Sequence, residues 1–363
     1  MKYPRTYYEH IRTINPLLFK YIKKDLSYLK TAHMDMAPFF DIDQFSKYFG
    51  EYIDEYFDKI DENFYEMYSF LQDKRNEETL TKWLIDDYLT ILNFEIFNRK
   101  TFFISGQLAE NLVFTDYNVT GEFLKPPFNC FLLVLNDELT KQLLCNIVKI
   151  VVKEYEEPIN IFVTKVGEGE NFLLKFHIRF GEIQLERALL VKSEIKISEI
   201  IKTDWEKLFN TNGFETKKQS SLEEESSFFY ESGFEFFRIL INSILYLTSS
   251  GADIVERKKI KSRKKREEAK RNENQTYNTK SYDYYEVGNT IGSIFIDYNK
   301  SNIINNANSI KTAFKLTIRS VVRGHWRNQP FGQGKEQRKL IFIKPYYKGP
   351  DLAELVNKPY VVK

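Results

Sequence analysis

The run from Phe228 to Leu247 constrains this chain most. It is aromatic-rich and has helical spacing, so it must be buried along most of its surface. Its apolar part, Phe234 to Leu247, is interrupted by Glu235, Arg238 and Asn242 and is too short to cross a bilayer. The chain must therefore build a large core around this helix. With 363 residues, 42% of them apolar and 29% charged, it can do so without a metal or disulfide staple. The 31 Phe and 23 Tyr follow the same burial logic. Cys130 and Cys145 lie in apolar runs with no CxxC pair, as buried free thiols do in a reducing compartment. The start of the chain lacks the apolar stretch of a signal peptide, so a cytoplasmic protein without membrane insertion is expected.

Three regions differ in pattern. Residues 1–125 read as helical. Phe45, Phe49, Tyr52, Ile53, Tyr56, Phe57, Ile60, Phe64 and Tyr68 recur at three-and-four spacing, and a second helix is expected between Glu77 and Phe97. Asp86 and Asp87 in that second helix point apart and read as a solvated face. Residues 126–214 are mixed. Phe128 to Leu135 suits a buried strand, 138–156 a helix, and Ile159–Val166 with Asn171–Phe180 a hairpin around Gly167 and Gly169. His177, in its second arm, reads as structural. A strand and then a helix are expected over 183–210, and the polar stretch 215–227 reads as a linker. Residues 228–363 form a C-terminal α+β region. The fold class expected is α+β, with a helical N-terminal part, a mixed central part and a β-rich C-terminal part carrying a basic hairpin.

Two C-terminal features carry the chemistry. Arg257 to Arg271 holds ten Lys or Arg, Lys264, Lys265 and Arg266 among them, with almost nothing apolar to bury. Residues 319–350 combine Arg319, Arg323, His325, Trp326, Arg327, Gln329, Arg338, Lys344, Tyr346 and Lys348 with Gly332 and Gly334. Strand alternation from residue 314 would put Arg319, Arg323, His325 and Arg327 on one face, although helical spacing also groups the three arginines. Strand is favoured because β-branched residues are dense and Gly324 would weaken a helix. A cationic face beside a Gly-rich loop points to a phosphate-bearing partner, with RNA favoured over DNA. The net charge of only +2 places any such patch locally.

Metal-independent RNA cleavage needs a base, an acid and cations for the charge on phosphorus. His325 and Tyr346 could move the protons, with Arg319 among the cations. Arg323, Arg327, Gln329, Arg338, Lys344 and Lys348 would hold phosphate. A purely binding surface needs the same cations and leaves His325 a mere neighbour. No zinc-spaced Cys/His cluster, HExxH, GxSxG or Rossmann fingerprint occurs, so neither a metal nor a cofactor is expected. A partner protein or a second copy of the chain is left open.

The spacing Arg319–x5–His325 is similar to the R-x4–6-H signature of HEPN-type ribonucleases, which implies RNA cleavage by that Arg and His on an all-α dimer. The stretch Val322 to Gln329 and the following Arg338 to Gly349 resemble the C-terminal signature of bacterial proteins carried on plasmids and phage-like elements. That resemblance implies a mobile-element or host–phage conflict setting and brings no activity with it. The expected protein is therefore nucleic-acid-directed, as a ribonuclease-type toxin or defence effector or as a non-catalytic binder of replication or regulation; the alternative is a structural or sensor protein with no nucleic-acid activity.

Overall fold

A computed structural model describes residues 3–31, 47–59, 74–148, 157–181, 183–211, 220–259, 282–292 and 320–348. Its centre is a seven-stranded sheet in the order β5-β4-β3-β2-β1-β7-β6. The strands are β1 (Thr101–Ile104), β2 (Cys130–Leu135), β3 (Ile159–Val166), β4 (Phe172–Phe180), β5 (Ile183–Val191), β6 (Ile254–Arg257) and β7 (Tyr284–Val287). β1 runs parallel to both its neighbours, and every other pairing in this sheet is antiparallel. The α+β class holds. Each of the three sequence regions contributes strands, and β1 lies within the stretch read as helical. β2 is buried at every position because both sheet faces are covered, which is why its sequence is a continuous apolar run rather than an alternation.

Helices α1 (Tyr7–Ile14), α2 (Pro16–Thr31), α3 (Phe49–Lys59) and α4 (Lys74–Ile96) supply the layer over one face, packing on Phe103, Leu132, Phe162 and Tyr284. Local chemistry sets their starts. Thr6 and Glu9 form a reciprocal capping box, and Asn15 Oδ1 accepts from the Leu18 amide just behind Pro16. On the other face lie α5 (Gly106–Val113), α6 (Glu138–Val148) and α8 (Ser220–Thr248), against Phe131, Leu133, Phe176 and Val287. Ser105 caps α5 through the Leu108 amide, and Asp137 caps α6 through the Thr140 amide. α7 (Ile197–Thr211) follows β5, as expected.

The β3–β4 hairpin turns at Gly167 and Gly169, both at φ +92°, where a side chain would be strained. The expected linker 215–227 is corrected over 220–227, since α8 begins at Ser220, while 215–219 lie outside the described residues. Its polar first turns continue the helix that the buried Phe236 to Leu247 segment anchors in the core. Both cysteines are buried free thiols, and burial pushes the Cys130 thiol up to about 12.

Candidate nucleic-acid interface

The C-terminal segment forms two short two-stranded sheets outside the central one. β8 (Ser320–Val322) pairs with β11 (Tyr346–Lys348), and β9 (His325–Phe331) pairs with β10 (Gln337–Ile343). The expected single strand from residue 314 breaks at Arg323–Gly324, and the residues before 320 lie outside those described. The break has a steric cause. Gly324 lies against the end of α5, where a Cβ would sit 2.4 Å from Thr115 Oγ1 and 2.8 Å from Pro345 Cδ. The Gly324 amide donates to the Phe114 carbonyl at 3.0 Å, and the Asp116 amide donates to the Gly324 carbonyl at 2.9 Å.

Asn242, fully buried in α8, completes this attachment. Its Nδ2 donates to the Leu112 carbonyl at 3.0 Å and the Thr115 carbonyl at 2.8 Å, while its Oδ1 accepts from Trp326 Nε1 at 2.8 Å. One amide thus ties α5, α8 and β9 together with no donor or acceptor wasted. Trp326 and Leu340 are buried here, Phe342 packs on Tyr246, and the Ser250 amide donates to the Leu340 carbonyl.

Anchoring one face of the β9–β10 ribbon leaves the other outward. Cross-strand register puts His325 opposite Ile343, Arg327 opposite Ile341, Gln329 opposite Lys339 and Phe331 opposite Gln337 on that outward face. Arg327 Nη2 donates to Gln329 Oε1, and the Lys339 ammonium stands 5.4 Å from the Phe331 ring centroid. Arg338 shares the other face with Trp326 and Leu340, but beyond the anchor it is exposed. Gly332 (φ +80°) and Gly334 (φ +68°) shape the connecting turn.

The expected residues therefore divide. His325, Arg327 and Gln329 come together, Arg338 flanks them, and Lys344 is exposed just past β10. Arg323 turns away to Asp116 at 3.2 Å. Tyr346, 45% exposed, and Lys348 belong to β11 rather than to the ribbon. Arg319, Lys264, Lys265 and Arg266 lie outside the described residues. At the start of the basic tract, Arg257 is in β6 and pairs with Glu286 at 2.9 Å. Sequence reading missed Lys339 and Phe331. Both become visible once Arg327 and Ile341 are set opposite each other.

A second polar centre lies under the N-terminal helical layer, and there the solvated reading of Asp86 and Asp87 is corrected. Asp87 accepts from Arg179 Nη2 and from the Tyr7 hydroxyl at 2.9 Å, and Gln184 Nε2 donates to Asp86 at 3.3 Å. Arg179 and Gln184 are cross-strand partners, so successive helix positions each meet a strand. Burial and the nearby Glu186 raise the Asp86 carboxyl to about 6. His177 is buried beside Glu186, and desolvation lowers its imidazole to about 4. A cavity of about 240 Å³ opens beside this centre, lined in part by Arg5, Tyr7, His10, Asn160 and Arg179. Among the described residues no group of His, Cys, Asp or Glu could hold a metal, and no helix is long and apolar enough to cross a membrane.

Sheet, helical layers and anchored ribbon together define a three-layer α+β protein with an outward basic hairpin. The model of the AcrVA2-like family, the anti-CRISPR type V subtype A2 family, matches residues 102–347, from the start of the central sheet through the ribbon. That is more than half of the 363 residues, and the chain belongs to this family. Its setting is the conflict between phage and CRISPR defence. A crystal structure of AcrVA2 is similar at 12% identity and a TM-score of 0.43, covering 93% of this chain and 96% of that one. No curated protein matches.

Proposed function

We propose that this chain acts against a type V CRISPR system by binding a nucleic acid through its β9–β10 ribbon, without cutting it. The family supplies the setting. The observation that carries the reading is the division of the ribbon into an anchored face, Trp326 and Leu340, and an outward one bearing Arg327, Gln329 and Lys339. Binding is favoured over cleavage because the residues expected to move protons belong to different two-stranded sheets. His325 is exposed in β9, whereas Tyr346 stands in β11 on the other small sheet. Cleavage needs both within hydrogen-bond reach of one phosphate, while binding needs only cations on an accessible surface.

Electrophoretic shift of labelled nucleic acids by the purified chain tests this reading. Affinity is expected to fall steeply with salt, by a slope of about −0.7 to −0.9 per phosphate contact, and to collapse in Arg327→Glu/Lys339→Glu. No shift with any probe, or full binding by the double variant, refutes it. Incubation with RNA in EDTA is expected to leave the RNA intact. Cleavage that disappears in His325→Ala would restore the ribonuclease reading instead.

A further inference from the structure

The tip of the ribbon has a property that its base lacks. Near the anchor, Trp326 and Leu340 are buried. Farther out on the same face, Asn328 and Arg338 are exposed, as are residues 331–338 around the turn. Among the described residues both faces of the tip are therefore open around the turn, and the ribbon projects from their packed part beyond residues 328 and 338, with Gln329 and Pro330 half-buried. At about 3.4 Å per residue the projecting strands extend roughly 10 Å before the turn.

The side chains on this projection are of one kind. Arg327, Lys335, Arg338 and Lys339 supply positive charge against Glu336 alone, and Asn328, Gln329, Gln333 and Gln337 supply amides. Arg matches the O6 and N7 acceptors of guanine, and Asn or Gln matches N6 and N7 of adenine, all on the major-groove edge. Arg327 is already held by Gln329 Oε1, so the two side chains are presented as a unit. A single-strand reader is built differently, from successive aromatic rings on which bases stack. Here Phe331 is the one aromatic on the projecting part, and Lys339 stands over its ring.

We infer that the projecting tip, residues 327–339, enters the major groove of B-form duplex DNA, with Arg327 and Gln329 of the outward face on the base edges and Lys335 and Arg338 toward phosphate. This rests on the binding reading above and narrows it. A two-stranded ribbon fits a groove about 12 Å wide and 8.5 Å deep, whereas the A-form RNA major groove is too narrow and deep to be read this way. The charge of the tip and its hydrogen-bonding groups complement that groove together, and they displace the expected preference for RNA.

The test uses the whole chain and four probes of matched sequence: duplex DNA, duplex RNA and each single strand. Anisotropy is expected to show duplex DNA bound at least about tenfold more tightly than the rest. Dimethyl sulfate methylates guanine N7 in the major groove and adenine N3 in the minor groove. Interference is expected at N7 and absent at N3. Arg327→Gln and Arg338→Gln, both exposed, should weaken duplex binding while leaving the thermal unfolding midpoint unchanged. Equal or tighter binding to RNA or single strands, or interference at adenine N3 alone, overturns the groove assignment and leaves the binding reading intact. No binding to any probe removes both.

Discussion

The two faces of the central sheet solve burial in opposite ways. Under the N-terminal helices the core is built on tyrosine. Tyr8, Tyr52, Tyr88 and Tyr282 are buried, and their hydroxyls meet Glu95, Asn15, Asp25 and Thr6 in turn. Arg179 and Asp87 add an ion pair to the same side, and the buried His177 a further polar group. Under α8 the core is Leu, Ile and Phe, and beside the backbone bonds at Gly324 and Leu340 the side-chain contact that ties α8 to the ribbon is made by Asn242. A distributed polar network spreads the consequence of losing any one bond over its neighbours, whereas a single amide with three partners does not. The face that carries the candidate interface is thus the drier one, and one buried side chain carries a large share of its polar contact with the ribbon.

Asn242→Leu is the strongest attempt to break that contrast. The branching at Cγ is kept, but Trp326 Nε1 and the Thr115 carbonyl lose their partner, and the Leu112 carbonyl is left with backbone amides alone. At about 1–3 kcal/mol for each buried group left unbonded, the loss should be on the order of 3 kcal/mol or more. It would be read as a lower urea midpoint at unchanged slope. A loss under about 1 kcal/mol would mean that the hub is not decisive. Gly324→Ala attacks the same hub sterically. Its new methyl would meet Thr115 Oγ1 and Pro345 Cδ below contact distance, and overpacking of this kind costs about 1–3 kcal/mol. Nucleic-acid affinity should fall in step with stability in both variants if the hub is what presents the ribbon.

Tyr88→Phe is the matching change on the tyrosine-rich face. It removes the hydroxyl that donates to Asp25 and keeps the ring packed between Phe49 and Tyr52. A loss of about 1–2 kcal/mol is expected, less than at Asn242, with ribbon affinity unchanged. Equal losses at the two sites in chemical denaturation would erase the difference between the faces.

What the sequence made legible follows the same division. Continuous or periodic apolar runs announced β2, the β3–β4 hairpin, α8 and the basic hairpin, because burial writes its period directly into residue order. Arg327 and Gln329 were visible from two-residue alternation. Lys339 and Phe331 were not, because cross-strand register is set by the turn at Gly332 to Gly334, which alternation alone cannot count. The break at Arg323–Gly324 was also hidden. It comes from Thr115, more than two hundred residues earlier in the chain. Asp86 and Asp87 were misread for a related reason, since a helix pattern shows which way a carboxylate points and not what another strand brings to meet it.

Asp86 gives the smallest effect and the sharpest test of how wet the N-terminal face is. Its folded carboxyl titrates at about 6, above the usual unfolded value near 3.9, because burial and Glu186 disfavour the charge while Arg179 and Lys82 only partly offset them. A raised carboxyl contributes stability below the unfolded value and loses it as pH climbs through about 6. Asp86→Asn, which can still accept from Gln184, should therefore raise stability at pH 7 by about 1 kcal/mol, a figure reduced from the full shift because the group is only partly buried and screened by solvent. The gain should shrink toward zero as pH falls below about 4. His177 works in the opposite direction over nearly the same range. Its lowered imidazole favours the fold above about 6.5 and loses that contribution toward about 4, so the wild-type profile should be flatter between these limits than either group alone would make it. Removing Asp86 should expose the His177 limb as a steeper acid fall. Thermal melts of the two proteins from pH 4 to pH 8 read this directly, and parallel curves would mean that Asp86 is solvated after all.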